Sequence, residues 1–174
     1  MTLSLVTPSR AYQESYHAYI EELGDEERYP FPLGFDASDF TSMLNKIACF
    51  RQGISLPEGY VSSSTYWLVD GKDIVGVSNL RHSLNEQIRF AGGHIGLGVR
   101  PSFRRKGIGK ILLSQTIECA HAMGIDDIHI HCYADNLASQ ALIVACGGRL
   151  DSTDTTSDGT GLHRYRVFGR PENA

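Results

Sequence analysis

The sequence lacks the features of a membrane, secreted or nucleic-acid-binding protein. No apolar run approaches the length needed to span a bilayer, and residues 1–10 have no basic flank leading into an apolar stretch. Sixteen Lys and Arg residues against twenty Asp and Glu residues give a formal net charge of −4, which argues against a general electrostatic partnership with nucleic acid. We therefore expect no membrane partner and no nucleic-acid partner.

Cysteine is sparse and is not arranged for metal binding. The four cysteines form no Cys-x-x-Cys pair and no short Cys/His spacing, which argues against a zinc site and against a dense disulfide framework. They are Cys49, Cys119, Cys132 and Cys146. We expect no metal, reduced thiols and a cytoplasmic location.

The chain also has no long Pro-, Gly- or Ser-rich linker and no internal repeat. Its 174 residues are enough to bury a sizeable core. These observations predict a single domain over residues 1–174.

The spacing of apolar residues predicts four helices and six strands. Helices are predicted over 9–23, with Ser9 as the cap, over 39–52, over 107–123 and from Asp135 or Asn136 to Cys146. Strands are predicted over 65–70, 72–80, 93–100, 128–132, 150–153 and 163–168. The stripe of the third helix that faces a sheet is predicted to be Ile108, Ile111, Leu112, Gln115, Cys119 and Ala122.

A basic turn with two glycines joins a predicted strand to a predicted helix. It reads Arg104-Arg105-Lys106-Gly107-Ile108-Gly109-Lys110 and follows Gly96-Leu97-Gly98-Val99. Glycines let backbone amides approach phosphate oxygens, and a helix N-terminus supplies unpaired N–H groups with a partial positive charge. The turn therefore predicts a pyrophosphate site, to which its Arg and Lys side chains add full charges. The competing interpretation is a solvated basic turn.

This turn resembles the acyl-CoA signature of the GCN5-related N-acetyltransferases, (Gln/Arg)-x-x-Gly-x-(Gly/Ala), which here runs from Arg104 to Gly109. Asp135-Asn136-Leu137-Ala138-Ser139 resembles the motif that opens the fourth helix of that family. The resemblance covers nearly the whole chain and is densest over residues 93–149. Gly92-Gly93-His94-Ile95-Gly96 is similar to a subgroup known only as predicted acetyltransferases.

The resemblance implies an α/β (α+β) acyl-CoA N-acyltransferase fold. Such a fold has a mixed, mostly antiparallel sheet of six to seven strands, flanked by about four helices and splayed between strands four and five. The splay leaves main-chain groups of strand 93–100 free to bond the pantetheine arm of acetyl-CoA, the implied cosubstrate. By position, the resemblance assigns cofactor binding to Leu97, Val99, Arg104, Arg105, Lys106, Gly107, Ile108, Gly109, Lys110, Asn136 and Ser139. For Asn136 and Ser139, helix capping is an equal alternative.

The implied reaction is direct attack of a primary amine on the thioester, without a metal or a covalent enzyme intermediate. An alkylamine with a pKa near ~10.4 is almost fully protonated at neutral pH, so a base is needed. His94, His82 and Glu86 are the candidate bases by sequence, and a structural role is the alternative for His94. Many family members carry a tyrosine acid where this chain has Ile143, which leaves water or a nearby hydroxyl, Tyr133 or Ser139, as the candidate acid.

The acceptor is predicted only as a primary amine of a small molecule or peptide. An acidic cluster at the end of the first helix would favour a cationic acceptor, and a solvated acidic loop is the alternative. Its members are Glu21, Glu22, Asp25, Glu26 and Glu27. A non-enzymatic CoA-binding module or sensor is the second interpretation. Nothing in the sequence indicates the acyl-chain length or the oligomeric state, and a homodimer stays open.

Overall fold

A computed structural model describes residues 1–169, which form seven strands and five α-helices. The strands are β1 Leu3–Val6, β2 Ser63–Asp70, β3 Asp73–Arg81, β4 Ile95–Val99, β5 Asp127–Tyr133, β6 Arg149–Thr155 and β7 Gly161–Phe168. The helices are α1 Gln13–Leu23, α2 Phe40–Gln52, α3 Glu86–Phe90, α4 Ile108–Ala122 and α5 Leu137–Ala145. Every predicted helix and strand is present, with ends displaced by a few residues. The sequence did not predict β1 or α3.

The strands form two antiparallel sheets that separate between β4 and β5. The first sheet has the order β1-β2-β3-β4, and the second has the order β5-β7-β6. Between β4 and β5, the only bridge in the described chain joins Gly93 to Ile130. The expected splay between the fourth and fifth strands is therefore confirmed.

Helices cover both faces of the first sheet. Helices α1 and α2 bury Tyr16 and Met43 against Trp67, and each of these side chains is at most 1% exposed. Helix α4 buries Leu112 and Leu113 against the opposite face. Burying a side chain of this size contributes about 2 kcal/mol, so packing on both faces holds the sheet between its helices.

The predicted buried stripe of α4 is wrong in part. The buried residues are Ile108, Leu112, Leu113, Thr116, Ile117 and Ala120, whereas Ile111 is exposed. The predicted stripe did not include Thr116. Its hydroxyl instead donates to the Leu112 carbonyl and pairs with the Ser78 hydroxyl, each at 2.8 Å, so its burial leaves no polar group unpaired.

The helix ends follow their capping residues, with one exception. Asp39 caps α2 by accepting a hydrogen bond from the Ser42 N–H at 3.1 Å, and Gly53 ends it at φ +72°. The predicted Ser9 cap does not form, because a 3₁₀ turn over 10–12 precedes α1. Within residues 1–169, no helix combines the length and the apolar character that crossing a membrane requires.

Candidate functional site

The edge of β4 that faces the gap carries main-chain groups that do not pair with β3. The Arg100 N–H donates to the Val75 carbonyl of β3 at 2.9 Å. Because successive residues of a strand point their main-chain groups to opposite sides, those of Leu97 and Val99 point away from β3. The Val99 carbonyl accordingly accepts a hydrogen bond from Nε of Arg104, at 3.0 Å, rather than from β3. These are the two residues that the sequence analysis selected.

The opposite side of the gap is formed by β5. The Ala134 N–H donates to the carbonyl of Gly161, the first residue of β7, at 2.9 Å, so the same alternation turns the main chains of His131 and Tyr133 towards β4. Two strand edges therefore border one opening without bonding to each other there.

A cleft of about 590 Å³ lies at this opening. It is lined by the end of α1 and the loop after it, by β4, by β5 and by the start of α5. Among the predicted site residues, the lining includes Leu97, Val99, Arg104, Tyr133, Asn136 and Ser139. The sequence analysis therefore selected residues that the fold brings together from four separate segments.

The turn before α4 presents a row of main-chain N–H groups. Among residues 1–169, no main-chain acceptor is hydrogen-bonded to the N–H groups of residues 105–110. Gly107 adopts φ +78° as the N-cap of α4, and a Cβ on it would meet no atom within 4 Å. The space before the helix is open, and the row of donors suits an anion such as a pyrophosphate.

The second glycine of the turn has a different role from the first. A Cβ on Gly109 would lie 3.3 Å from Cδ2 of Leu142 in α5 and 3.6 Å from Cγ2 of Val99. Gly109 therefore lets α4 pack closely on α5 and β4, whereas the sequence analysis assigned both glycines to the approach of a phosphate.

The four cations of the turn have unequal surroundings. The Arg104 guanidinium binds both carboxylate oxygens of Glu26, at 3.1 and 2.6 Å, and Nζ of Lys106 donates to the Ser102 carbonyl at 2.9 Å. Within the described residues, Arg105 and Lys110 form no ion pair and are exposed. These two side chains have the greatest freedom to contact a bound phosphate.

Asn136 caps α5. Its Oδ1 accepts a hydrogen bond from the Ser139 N–H at 3.1 Å, and both residues line the cleft. The capping alternative therefore holds, and it leaves the Asn136 amide nitrogen and the Ser139 hydroxyl available to the cleft.

None of the three predicted bases lines the cleft. Nε2 of His82 pairs with the Ser64 hydroxyl at 2.8 Å, and burial lowers the pKa of His82. Glu86 lies in the first turn of α3 and is exposed. His94 is buried at the point where the sheets separate.

His94 holds β4 to β5 with two hydrogen bonds. Its N–H donates to the His129 carbonyl at 2.7 Å, and its Nδ1 accepts from the His129 N–H at 2.9 Å. The ring lone pair is thus already in use, and burial lowers the pKa of His94 to about 4. This geometry gives His94 the structural role that the sequence analysis kept as an alternative.

The sequence analysis missed several cleft residues, chief among them Tyr29. A Cβ on Gly96 would lie 2.7 Å from the Tyr29 hydroxyl, and a Cβ on Gly98 would lie 2.5 Å from the Tyr29 carbonyl oxygen. The loop after α1 therefore lies directly on β4. The alternating glycines of the Gly96-Leu97-Gly98 strand were the available signal, because a strand glycine often marks a close approach of another chain segment.

Two further missed residues bring buried polar atoms to the cleft. His131 is 7% exposed, and its Nδ1 accepts from the Gly92 N–H at 3.1 Å. Burial lowers the pKa of His131 to about 4, and its Nε2 has no partner within residues 1–169. The hydroxyl of Tyr19 is likewise buried and unpaired in the described chain, and burial raises its pKa.

The acidic cluster divides into paired and unpaired carboxylates. Glu22 binds the buried Arg100 guanidinium at 2.7 Å and accepts from the Ser102 N–H at 3.1 Å, and its pKa is lowered by these contacts against the opposing effect of burial. Glu26 is held by Arg104. Glu27 lines the cleft and has no ion pair in the described part of the chain, whereas Glu21 and Asp25 do not line it.

The two buried histidines predict acid sensitivity of the fold. Because His94 and His131 have pKa values near 4 when folded and near 6.5 when unfolded, the unfolded chain binds more protons between these pH values. Stability should be fully present above about pH 6.5 and should fall as the pH drops towards about 4. Burial also lowers the pKa values of His82 and His129, so these residues add to the proton uptake on urea unfolding, which should be about one proton smaller in His94→Asn than in the wild type. Stability that does not change from pH 6.5 to pH 4 would contradict the assignment.

Comparisons with known proteins bear on the same segments. The sequence model of the acetyltransferase (GNAT) family matches residues 17–147. No curated protein gives a significant sequence match.

Among the described residues, no group of three or more His, Cys, Asp or Glu side chains is placed to hold a metal ion.

Solved structures share the fold at low sequence identity. RimL, a ribosomal L7/L12 alpha-N-protein acetyltransferase in complex with coenzyme A, has 18% identity and a TM-score of 0.71, covering 97% of this chain and 94% of that chain. The microcin C7 self-immunity acetyltransferase MccE, in complex with acetyl-CoA and AMP, has 18% identity and a TM-score of 0.68, covering 95% and 92%. A spermidine N-acetyltransferase SpeG chimera from Vibrio cholerae and hSSAT has 15% identity and a TM-score of 0.65, covering 97% and 96%.

Proposed function

The chain belongs to the acetyltransferase (GNAT) family, and from this premise we propose that it transfers the acetyl group of acetyl-CoA to a primary amine. The observation that carries the proposal is the opening between β4 and β5, with free main-chain groups on its edges and a row of N–H donors at its mouth. The RimL and MccE structures contain CoA or acetyl-CoA, which supports the same cosubstrate here.

In the proposed complex, the pyrophosphate binds the N–H groups of residues 105–110, and Arg105 and Lys110 neutralise its charge. The pantetheine arm lies in the gap and bonds the main chains of Leu97 and Val99 as a neighbouring strand would. Asn136 and Ser139 contact the arm from the start of α5. The thioester then reaches the middle of β4.

Catalysis in this arrangement depends on fixed dipoles. A main-chain N–H at Leu97 or Val99 donates to the thioester oxygen and stabilises the tetrahedral oxyanion, to which one such donor contributes about 3 kcal/mol. As the amine attacks, its proton passes to the Glu27 carboxylate, directly or through a water molecule. Collapse breaks the C–S bond, and Tyr133 or Ser139 protonates the CoA thiolate.

The lining of the cleft favours a cationic acceptor, either a small molecule or a peptide. Within residues 1–169 the Glu27 carboxylate has no ion pair, and the lining also includes Tyr29 and Tyr133, whose aromatic rings are of the type that binds ammonium groups. The spermidine N-acetyltransferase is a structural neighbour that acts on such an amine.

The four cysteines are free, which fits a reducing compartment such as the cytoplasm.

Replacing Glu27 with Gln should raise KM for a cationic acceptor about tenfold, because the variant loses one charge-assisted contact, and should also lower kcat, because the Gln amide cannot accept the proton of the amine. Steady-state kinetics with the best amine from a panel would measure the change, together with KM for acetyl-CoA. Glu21→Gln is the matched control, since Glu21 is an exposed carboxylate outside the cleft. Equal KM values for the two variants would remove Glu27 from the acceptor site.

The function itself is tested by acetyl-CoA with a broad panel of primary amines, including polyamines, amino acid amides and basic peptides. Thiol release should accompany a mass increase of one acetyl group on one amine class. Tight CoA binding without any acetylated product would instead favour the non-enzymatic sensor. No CoA binding would remove both interpretations.

A further inference from the structure

Two ion pairs of the same spacing join the end of α1 and the loop after it to the segment after β4. Glu22 binds Arg100, and Glu26, four residues later, binds Arg104, four residues after Arg100. Tyr19 is the buried phenol near both pairs; it lines the cleft, and its hydroxyl has no hydrogen-bond partner among residues 1–169. The exposure and the contacts of the two pairs can therefore be compared directly.

The first pair is built as a permanent connection. The Arg100 side chain is 11% exposed, and its guanidinium also contacts the Ser15 hydroxyl at 3.3 Å and the Ile74 carbonyl at 3.5 Å. Glu22 additionally accepts from the Ser102 N–H and hydroxyl. Breaking this pair would leave a buried charge without its partner.

The second ion pair is more exposed than the first and has fewer contacts. The side chains of Arg104 and Glu26 are 42% and 49% exposed, and the Glu26 carboxylate has no other hydrogen-bond partner among residues 1–169. An ion pair with this exposure is weak in water, so its partners can exchange readily. Both residues line the cleft, and Arg104 also occupies the Val99 carbonyl on the free edge of β4.

We propose that Arg104 exchanges partners when CoA binds: its guanidinium leaves Glu26 and binds the CoA phosphates. The Glu26 carboxylate is then free to bind a cationic acceptor. A pyrophosphate carries more charge than a carboxylate and accepts a bidentate guanidinium, so it competes well for Arg104. The released Glu26 adds a second carboxylate beside Glu27. Arg104 thus masks part of the acceptor site until the cofactor is present.

This inference rests on the proposed function, because it needs CoA in the gap. The exchange and a permanent brace predict opposite effects on CoA affinity when the Glu26 charge is removed. If Arg104 must leave Glu26, removing the Glu26 charge should help CoA to bind. If the pair only braces the loop, removing either partner should weaken CoA binding.

The test is isothermal titration of CoA into the wild type and into Glu26→Gln, Arg104→Gln and the double variant. Glu26→Gln should tighten binding about two- to fivefold, and Arg104→Gln should weaken it about tenfold. Glu27→Gln is the control, because it removes a neighbouring cleft carboxylate without releasing Arg104. Glu26→Gln should therefore tighten binding more than Glu27→Gln does, and this excess should vanish in the Arg104→Gln background.

Thermal denaturation of each variant establishes that it is folded, and the exposure of the pair predicts little change. In Glu26→Gln, KM for a cationic acceptor should also rise while KM for acetyl-CoA falls. Binding of CoA by Glu26→Gln that is weaker than, or equal to, binding by Glu27→Gln would overturn the exchange while leaving the proposed function intact. A wild type that does not bind CoA would instead overturn the proposed function, and the exchange with it.

Discussion

Replacing Gly107 with Asp is expected to weaken CoA binding about a hundredfold. The new carboxylate would lie at the N-terminus of α4, where it would accept hydrogen bonds from the N–H groups that we assign to the pyrophosphate. It would also repel the negative charge of the pyrophosphate. Loss of one or two charge-assisted hydrogen bonds accounts for an effect of this size, about 3 kcal/mol. Isothermal titration with CoA measures it.

The fold should tolerate this change. A Cβ at residue 107 meets no atom within 4 Å, and Asp is a favourable N-cap, although φ +78° costs a non-glycine residue about 1 kcal/mol. Gly107→Ala separates the effect of the added charge from the effect of backbone strain. It has the backbone cost without the charge and should weaken CoA binding only a few-fold. Gly124→Asp is the positional control, with φ +80° and equally open space at the other end of α4. Equal CoA affinities for the two Asp variants would count against the phosphate site.

Replacing His94 with Ala is expected to lower the free energy of unfolding by about 3 kcal/mol. The change leaves the His129 N–H buried without its acceptor and opens a cavity where β4 meets β5. CoA affinity should fall as well, since the bonds of His94 set where the strands separate. Urea unfolding and CoA titration measure the two effects.

The Asn variant at the same position distinguishes an acceptor from a base. The Oδ1 of Asn lies close to the position of Nδ1 in His, so His94→Asn should recover much of the lost stability. It should also retain acetyl transfer, because the proposed reaction does not use the His94 lone pair. Stability equal to that of the Ala variant, or an inactive but stable His94→Asn enzyme, would contradict the structural role.

The sequence predicted those parts of the site that depend on local chain chemistry. The turn before α4 and the Asn136 cap are set by residues close together in sequence, so their glycines, charges and capping side chain were readable. The main-chain roles of Leu97 and Val99 came from the family resemblance. Their geometry now has an independent basis in the register of β3 and β4.

The parts that were missed depend on contacts between distant segments. Strand β1 has four residues and exists because it pairs with β2, and α3 has only five residues. No local pattern shows that Tyr29 lies on Gly98, or that Glu26 binds a residue 78 positions away. His94 was chosen as a base by its residue type, but its partner is the main chain of another strand.

The most direct test of the central claim is a crystal structure of the protein with CoA. We expect the pyrophosphate on the N–H groups of residues 105–110 and the pantetheine amides bonded to the main chains of Leu97 and Val99 between β4 and β5. A well-ordered CoA bound elsewhere, with this gap filled only by solvent, would contradict the account.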